Sequence, residues 1–397
     1  MTRILVTFWM LSVLRVAPRY ADSIRELCDY VALPTHLGHM DDIQRLQEER
    51  VCFLPEAHPR WQHHLQHTAP VHRHDEVVKR RVATQLMWAR YKKICLHCWL
   101  PEAVCICEPL LKHQCAEELR PYCTTTIVVH PEEFLRCTNT GHVAAMLLDA
   151  PLLVWGVPRH NAAIASLGFD VGSQQQDVIL YPAERGSITL QSLAAEHVTH
   201  SFRPNFVLSD GTWGQARNVN RHVPDGVPRV RLDIPPHYDA LFAPLRKRTR
   251  ETGVSTLEAT LLAVSELTML QQQQVTSEHV RHQMIDCMKL FVSSVSLYTN
   301  KSQNSDSVDD SLTLEFIERC TAVKANFQQR ETRPPAQLPP PVLNYCYSCD
   351  NYVRWNRMAQ HVGGDAHQRN NALNPTGEPS IRSRDIWNWD SQMKNAT

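Results

Sequence analysis

The sequence predicts an α/β fold: a mostly parallel sheet with helices on both faces, carrying small zinc-binding modules. Three observations lead there. From Cys123 onward short β-rich runs alternate with helical stretches, as in a parallel sheet whose crossovers are helices. One of those runs, 205–209, passes through an Asp210-Gly211 turn directly into a helical run, 214–221. Eight of the 13 cysteines fall in two tight groups, 95–123 and 346–349. Such close spacing suits a metal better than a disulfide framework.

At 397 residues the chain has room for one large domain and a small one, or for two medium ones. The 41 basic and 41 acidic residues cancel, which excludes a simple polycation. Any RNA contact must then be a local patch. Cysteines grouped for metal imply a reducing, intracellular setting, nucleus or cytoplasm. Residues 1–30 leave two readings. Ile4 to Leu14 is mostly apolar but shorter than the roughly 20 residues of a membrane span, so no membrane association is expected. Arg3, Arg15 and Arg19 flank it and no acid precedes Asp22. A targeting peptide, either a secretory signal, which the intracellular metal sites argue against, or a transit peptide with a mitochondrial address, and an ordinary first helix or overlong start both fit.

Residues 31–93 read as a helical or irregular region. His58, His63, His64, His67, His72 and His74 crowd a proline-containing stretch. No pair repeats a known ligand spacing, so an irregular solvated loop is expected over a metal site. Residues 75–93 read as an amphipathic helix. Val78, Val82, Met87 and Tyr91 face inward; Lys79, Arg80, Arg81, Arg90, Lys92 and Lys93 face outward. That basic face is either simply solvated or set against an RNA backbone.

Cys95, Cys98, Cys105 and Cys107 follow, four of the chain's 13 cysteines within one short stretch. Paired thiolates on tight turns suit tetrahedral Zn²⁺, and with four ligands the site is structural rather than catalytic. Four buried or redox-active thiols are the alternative. Cys115 and Cys123 lie near enough to replace a ligand.

Candidate strands run over 125–129, 152–157, 178–181, 206–209 and 230–232, with helices over 138–148 and 162–167. The turn at Asp210 sets an acid and the Thr212 hydroxyl at the carboxyl end of a strand, where open α/β sheets bind ligands. Asp210 or Thr212 can equally serve as a plain helix cap. Ser255 to Glu258 has the spacing of a capping box, opening an apolar helix; a second helix spans about 277–298. Residues 299–343 form a linker, polar at first, with a short helix over 312–328 and a stiff proline-rich end.

The linker meets a second metal pattern over 344–372: Cys346, Cys349, His361 and His367. Two thiolates from a knuckle and two imidazoles from a helix close a tetrahedral site. Its wide histidine spacing resembles the matrin and U1-C type of finger, which implies an RNA or protein partner. Arg354 and Trp355 offer phosphate contact and stacking there. The tail, 373–397, is expected to be disordered, with Trp387 and Trp389 as docking points.

Asp210-Gly211-Thr212-Trp213 followed by Gln215, Ala216 and Arg217 resembles the signature of the DTW-domain proteins, tRNA-uridine aminocarboxypropyltransferases that use S-adenosylmethionine. Other pieces stand in the family's order: the Cys95 to Cys107 group, His130 to Glu133, Thr138 to Gly141, Tyr181-Pro182 and Ser255 to Ala259. The resemblance covers residues 90 to 295. It implies a fold similar to the SPOUT methyltransferases, with a knotted segment at the cofactor site. It also implies transfer of the 3-amino-3-carboxypropyl group to N3 of a tRNA uridine, with release of 5′-methylthioadenosine. Asp210 is then the base or holds the nucleobase. Thr212 bonds the base or the cofactor carboxylate, and Trp213 stacks on the base or fills the core. Tyr181, Pro182, Ser255, Thr256 and Glu258 line the cofactor pocket. Arg217 and His130 meet RNA. Two other readings compete: an inactive zinc-dependent RNA-binding adaptor, and a transferase acting on ribosomal RNA.

Overall fold

The computed structural model describes residues 17–170, 175–181, 186–196, 203–234, 238, 240–243, 245, 253–272, 274–299 and 318, and the strands at 343–346, 351–354 and 381–382. Two compact units divide the chain, Met1–Val323 and Lys324–Thr397.

In the first unit four helices precede the sheet: α1 (Pro18–Tyr30), α2 (Met40–Glu49), α3 (Pro59–His67) and α4 (Arg73–Tyr91). Prolines open α1 and α3, where a missing N–H costs nothing. Tyr20, Ile24 and Leu27 of α1 and Leu86 and Met87 of α4 share one core with the sheet. Residues 17–30 of the segment read as a possible transit peptide belong to this core, while residues 1–16 lie outside the described residues.

Two expectations for this region are corrected. The histidine-rich stretch is helical over α3, because Trp61 buries itself and anchors it. Arg80 does not face outward. It is buried, paired with Glu56 at 3.0 Å, and its guanidinium lies 5.4 Å over the Trp61 ring.

Next come α5 (Cys107–Leu111), α6 (Ala116–Leu119), β1 (Thr124–Val129), α7 (Gly141–Leu147), β2 (Leu152–Val154), α8 (Pro158–Ala165), β3 (Phe169–Asp170) and β4 (Gln175–Leu180). Then follow β5 (Ser187–Thr189), α9 (Leu190–Glu196), β6 (Arg203–Asp210), α10 (Trp213–Asn220), β7 (Arg229–Arg231), α11 (Thr256–Leu270) and α12 (Gln274–Thr299). Six strands pair in parallel in the order β2-β1-β6-β4-β7-β5, and β3 adds antiparallel to β4.

Side chains alternate across a pleat, and the two faces are filled accordingly. Ile127, Val129, Val178, Phe206 and Leu208 enter the larger core with α1, α4, α7, α11 and α12. Val128, Ile179 and Val207 enter a smaller core with Ile164 of α8 and Val219 of α10. Both faces are thus covered by helices, as predicted. β2 ends earlier than expected because Gly156 turns the chain at φ +92°; a Cβ there would meet Val78 at 2.4 Å. The chain path that would show the knot implied by the resemblance is interrupted by stretches outside the described residues, among them 171–174, 182–185, 197–202, 235–237 and 246–252. Among the described residues no helix is long and apolar enough to cross a membrane.

The second unit holds an antiparallel sheet, β10-β8-β9, from β8 (Leu343–Cys346), β9 (Asn351–Arg354) and β10 (Ile381–Arg382). The β8–β9 hairpin pairs Cys346 with Asn351, and β10 falls within the tail expected to lack structure. Cys349, Trp355, His361 and His367 lie outside the described residues, as do the side chains of Cys346 and Arg354. Of the expected linker helix only Glu318 is described, and it is helical.

Candidate active site

Strand register places Val129 of β1 opposite both Val154 of β2 and Asp210 of β6. Three carboxyl ends therefore coincide, at the edge where open α/β sheets bind ligands. Asp210 closes β6 on the larger-core face, and only 7% of it is exposed. Both carboxylate oxygens are held: Oδ2 accepts from the Asn139 amide and Oδ1 from the Thr256 hydroxyl. Its backbone carbonyl accepts the His130 N–H at 3.0 Å. Gly141 at the start of α7 makes room, since a Cβ there would sit 2.7 Å from the Asp210 carboxyl group.

Thr256 reaches Asp210 because of how α11 begins. Ser255 and Glu258 form the predicted capping box: the Ser255 N–H donates to Glu258 Oε2 at 2.8 Å and the Glu258 N–H to Ser255 Oγ at 3.2 Å. Glu258 is fully buried, and its Oε1 has no hydrogen-bond partner among the described residues. A buried carboxylate oxygen left unpaired is costly and calls for a donor.

Thr212 is exposed and caps α10, in a second box with Gln215. Gln215 donates onward to Glu132 at 2.9 Å, and Glu132 pairs with Arg81 at 2.6 Å. The helix start is thereby tied to the loop after β1. Thr212→Ala is expected to destabilise the protein by about 1 kcal/mol, the usual worth of such a cap. Urea unfolding with an unchanged slope and a lower midpoint checks this.

The other face of the same edge is aromatic. Tyr181 follows β4, and its ring lies 6.4 Å from the half-buried Trp213. Trp155, read from sequence only as a strand residue, gathers three imidazoles at 5.0–5.4 Å: His74, His130 and His222. Burial pushes His130 down to about 4, so its ring is neutral near pH 7. Arg217 is exposed on α10, and Pro182 lies outside the described residues. Sequence reasoning also gave no role to Asn139, Gly141 or His142. The first two stand in the quoted Thr138 to Gly141 piece, which was the available signal.

A second cluster lies on the loop between α4 and α5. The sulfurs of Cys95, Cys98, Cys105 and Cys107 all lie within 4.8 Å of one another, with two pairs at 3.6 Å. Four ligands about 2.3 Å from a tetrahedral zinc stand about 3.8 Å apart, so the cage fits a metal ion of that size. Thiol hydrogen bonds from Cys105, Cys107 and Cys98 hold Cys95 well below its ordinary value. Burial pushes Cys98 up, and sulfur contacts led by Cys105 push Cys107 up. Sulfurs that compete for one negative charge need a cation to ionise together. Cys115 and Cys123, the spare ligands, are not in this cluster, and burial pushes each up to about 12. From α1 the Tyr20 hydroxyl donates to the His97 carbonyl at 2.6 Å, closing the knuckle from outside.

The family model described as "DTW domain" matches residues 92–296. No solved structure matches the chain. The matched stretch opens just before the cysteine knuckle, closes within α12, and takes in Asp210, Asn139, Thr256 and Glu258. As it spans more than half of the sequence, the chain belongs to the DTW-domain family.

Proposed function

We propose that the protein is a tRNA-uridine aminocarboxypropyltransferase, moving the 3-amino-3-carboxypropyl group of S-adenosylmethionine to N3 of a uridine. The observation that carries this reading is the buried Asp210 carboxylate, aimed by two donors at the carboxyl edge of a DTW-family sheet. The donor molecule supplies an electrophilic γ-carbon with a sulfonium leaving group. Asp210 accepts the uridine N3 proton as the N–C bond forms and the C–S bond breaks; 5′-methylthioadenosine leaves with the sulfur electron pair.

Glu258 Oε1, buried and unpaired, has the right chemistry for the ammonium of the amino-acid moiety. Ser255, Thr256, Tyr181 and Pro182 complete that side. Thr212 and Trp213 hold the nucleobase at the exposed start of α10. Arg217, His130 and the aromatic group at Trp155 face the RNA strand; Arg354 and Trp355, in the second unit, offer a phosphate contact and stacking of their own. Zinc at Cys95, Cys98, Cys105 and Cys107, and at Cys346, Cys349, His361 and His367, is structural.

Nucleoside mass spectrometry tests the reading. Zinc-loaded protein is incubated with S-adenosylmethionine and either tRNA or ribosomal RNA. A uridine that gains the aminocarboxypropyl mass in tRNA is the expected result. The same gain confined to ribosomal RNA would move the substrate. No product on either, with RNA binding intact, would favour the inactive adaptor.

A further inference from the structure

Asn139 and His142 take no part in the chemistry above, yet they join the cysteine knuckle to Asp210. Asn139 is 6% exposed and His142 fully buried. At the knuckle end, His142 Nε2 meets the backbone carbonyl of Cys98 at 3.2 Å. A carbonyl only accepts, so this contact places a proton on Nε2. The imidazole lies flat on Trp99, with ring centroids 4.0 Å apart and planes 15° from parallel. Phe291 of α12 closes against it edge-on at 5.7 Å.

Trp99 is held in turn by the knuckle. Its backbone takes φ +58°, a left-handed conformation that a bulky residue keeps only when its surroundings impose it. Here the Trp99 N–H donates to the Cys95 carbonyl at 2.9 Å, so the turn between Cys95 and Cys98 sets the indole.

At the other end, the His142 backbone N–H donates to Asn139 Oδ1 at 3.2 Å. That bond decides which way the Asn139 amide faces. Its oxygen is engaged by His142, so its NH₂ group points at Asp210 Oδ2. The reverse orientation would set an amide oxygen against a carboxylate.

We propose that His142 and Asn139 are positioning residues that carry the geometry of the metal-filled cysteine knuckle to the Asp210 carboxylate. The knuckle thereby has a role in catalysis without touching any reactant. The turnover readout rests on the transferase reading; the exchange readout does not.

Three zinc-loaded proteins decide it: wild type, His142→Phe and His142→Gln. Phenylalanine keeps the stack on Trp99 and loses the bond to Cys98; glutamine restores a donor. Zinc content, amide exchange over 138–148, and kcat and KM are measured on each. With full zinc retained, His142→Phe is expected to exchange at least about 10-fold faster over 138–148. Its kcat falls about 100-fold at unchanged KM, the usual cost of a reacting group misplaced by about 1 Å. His142→Gln recovers most of both. Wild-type exchange and turnover in His142→Phe would overturn the proposal, as would glutamine doing no better than phenylalanine. Should His142→Phe lose zinc or fail to fold, Asn139→Asp replaces it; native zinc content with wild-type exchange and turnover there overturns the idea equally. If the wild type transfers nothing, the transferase reading fails, and the exchange arm alone decides the positioning chain.

Discussion

Asp210→Asn is expected to lose transfer by about 10²- to 10⁴-fold in kcat, the range a positioned general base contributes. The substitution keeps size and shape but removes the carboxylate that accepts the uridine proton in the proposed reaction. It also sets a neutral amide between two donors, the Asn139 NH₂ and the Thr256 hydroxyl, which now face a single acceptor oxygen. Some stability is lost too, since hydrogen bonds to a charged group are worth about 1.5–3 kcal/mol each. Turnover should therefore be measured well below the melting temperature, with zinc content verified. Residual product within about 10-fold of wild type would remove Asp210 as base and leave it the role of holding the nucleobase.

Removal of the knuckle metal is the second large effect expected. Structural zinc contributes roughly 10–16 kcal/mol in isolated finger peptides. In this protein the knuckle is embedded in the main core: Cys98, Trp99, Leu100, Val104 and Ile106 are buried, and Tyr20 closes over the His97 carbonyl. Cys98→Ser should lower the melting temperature by about 10 °C or more, since each kcal/mol is worth about 2–4 °C in a domain of this size. Acid should act in the same direction, because the ligands must be thiolates and protons compete with the metal. Calorimetry beside metal analysis checks both. An unchanged melting temperature after complete metal loss would return the cluster to buried or redox-active thiols.

The sheet was readable because its signals are local. Runs such as 125–129 and 206–209 are rich in β-branched and apolar residues, as strands buried on both faces are, and the observed strands extend them by only a few residues. The cysteine knuckle was readable for a related reason: its spacing alone implies a shared ligand. The helix at 18–30 was only one of the readings open, and that at 59–67 was not readable. Their burial depends on partners far along the chain, as when Tyr20 of α1 meets His97 or Arg80 of α4 lies over the Trp61 ring of α3.

At the site itself, the sequence determined the chemistry on offer: an acid at a strand end, a helix cap at Asp210 or Thr212, a capping box at Ser255, and four clustered thiols. Only the tertiary structure decided which of these groups meet. Asn139 and Gly141, and Thr256, converge on Asp210 from two other places in the chain, because parallel pairing aligns the strand ends and α7 and α11 pack on one face of the sheet. Trp155 and its three histidines assemble on the opposite face by the same alternation of the pleat. A side-chain period of two residues sends neighbours to opposite sides of a sheet, so proximity along the chain says little about proximity at its edge.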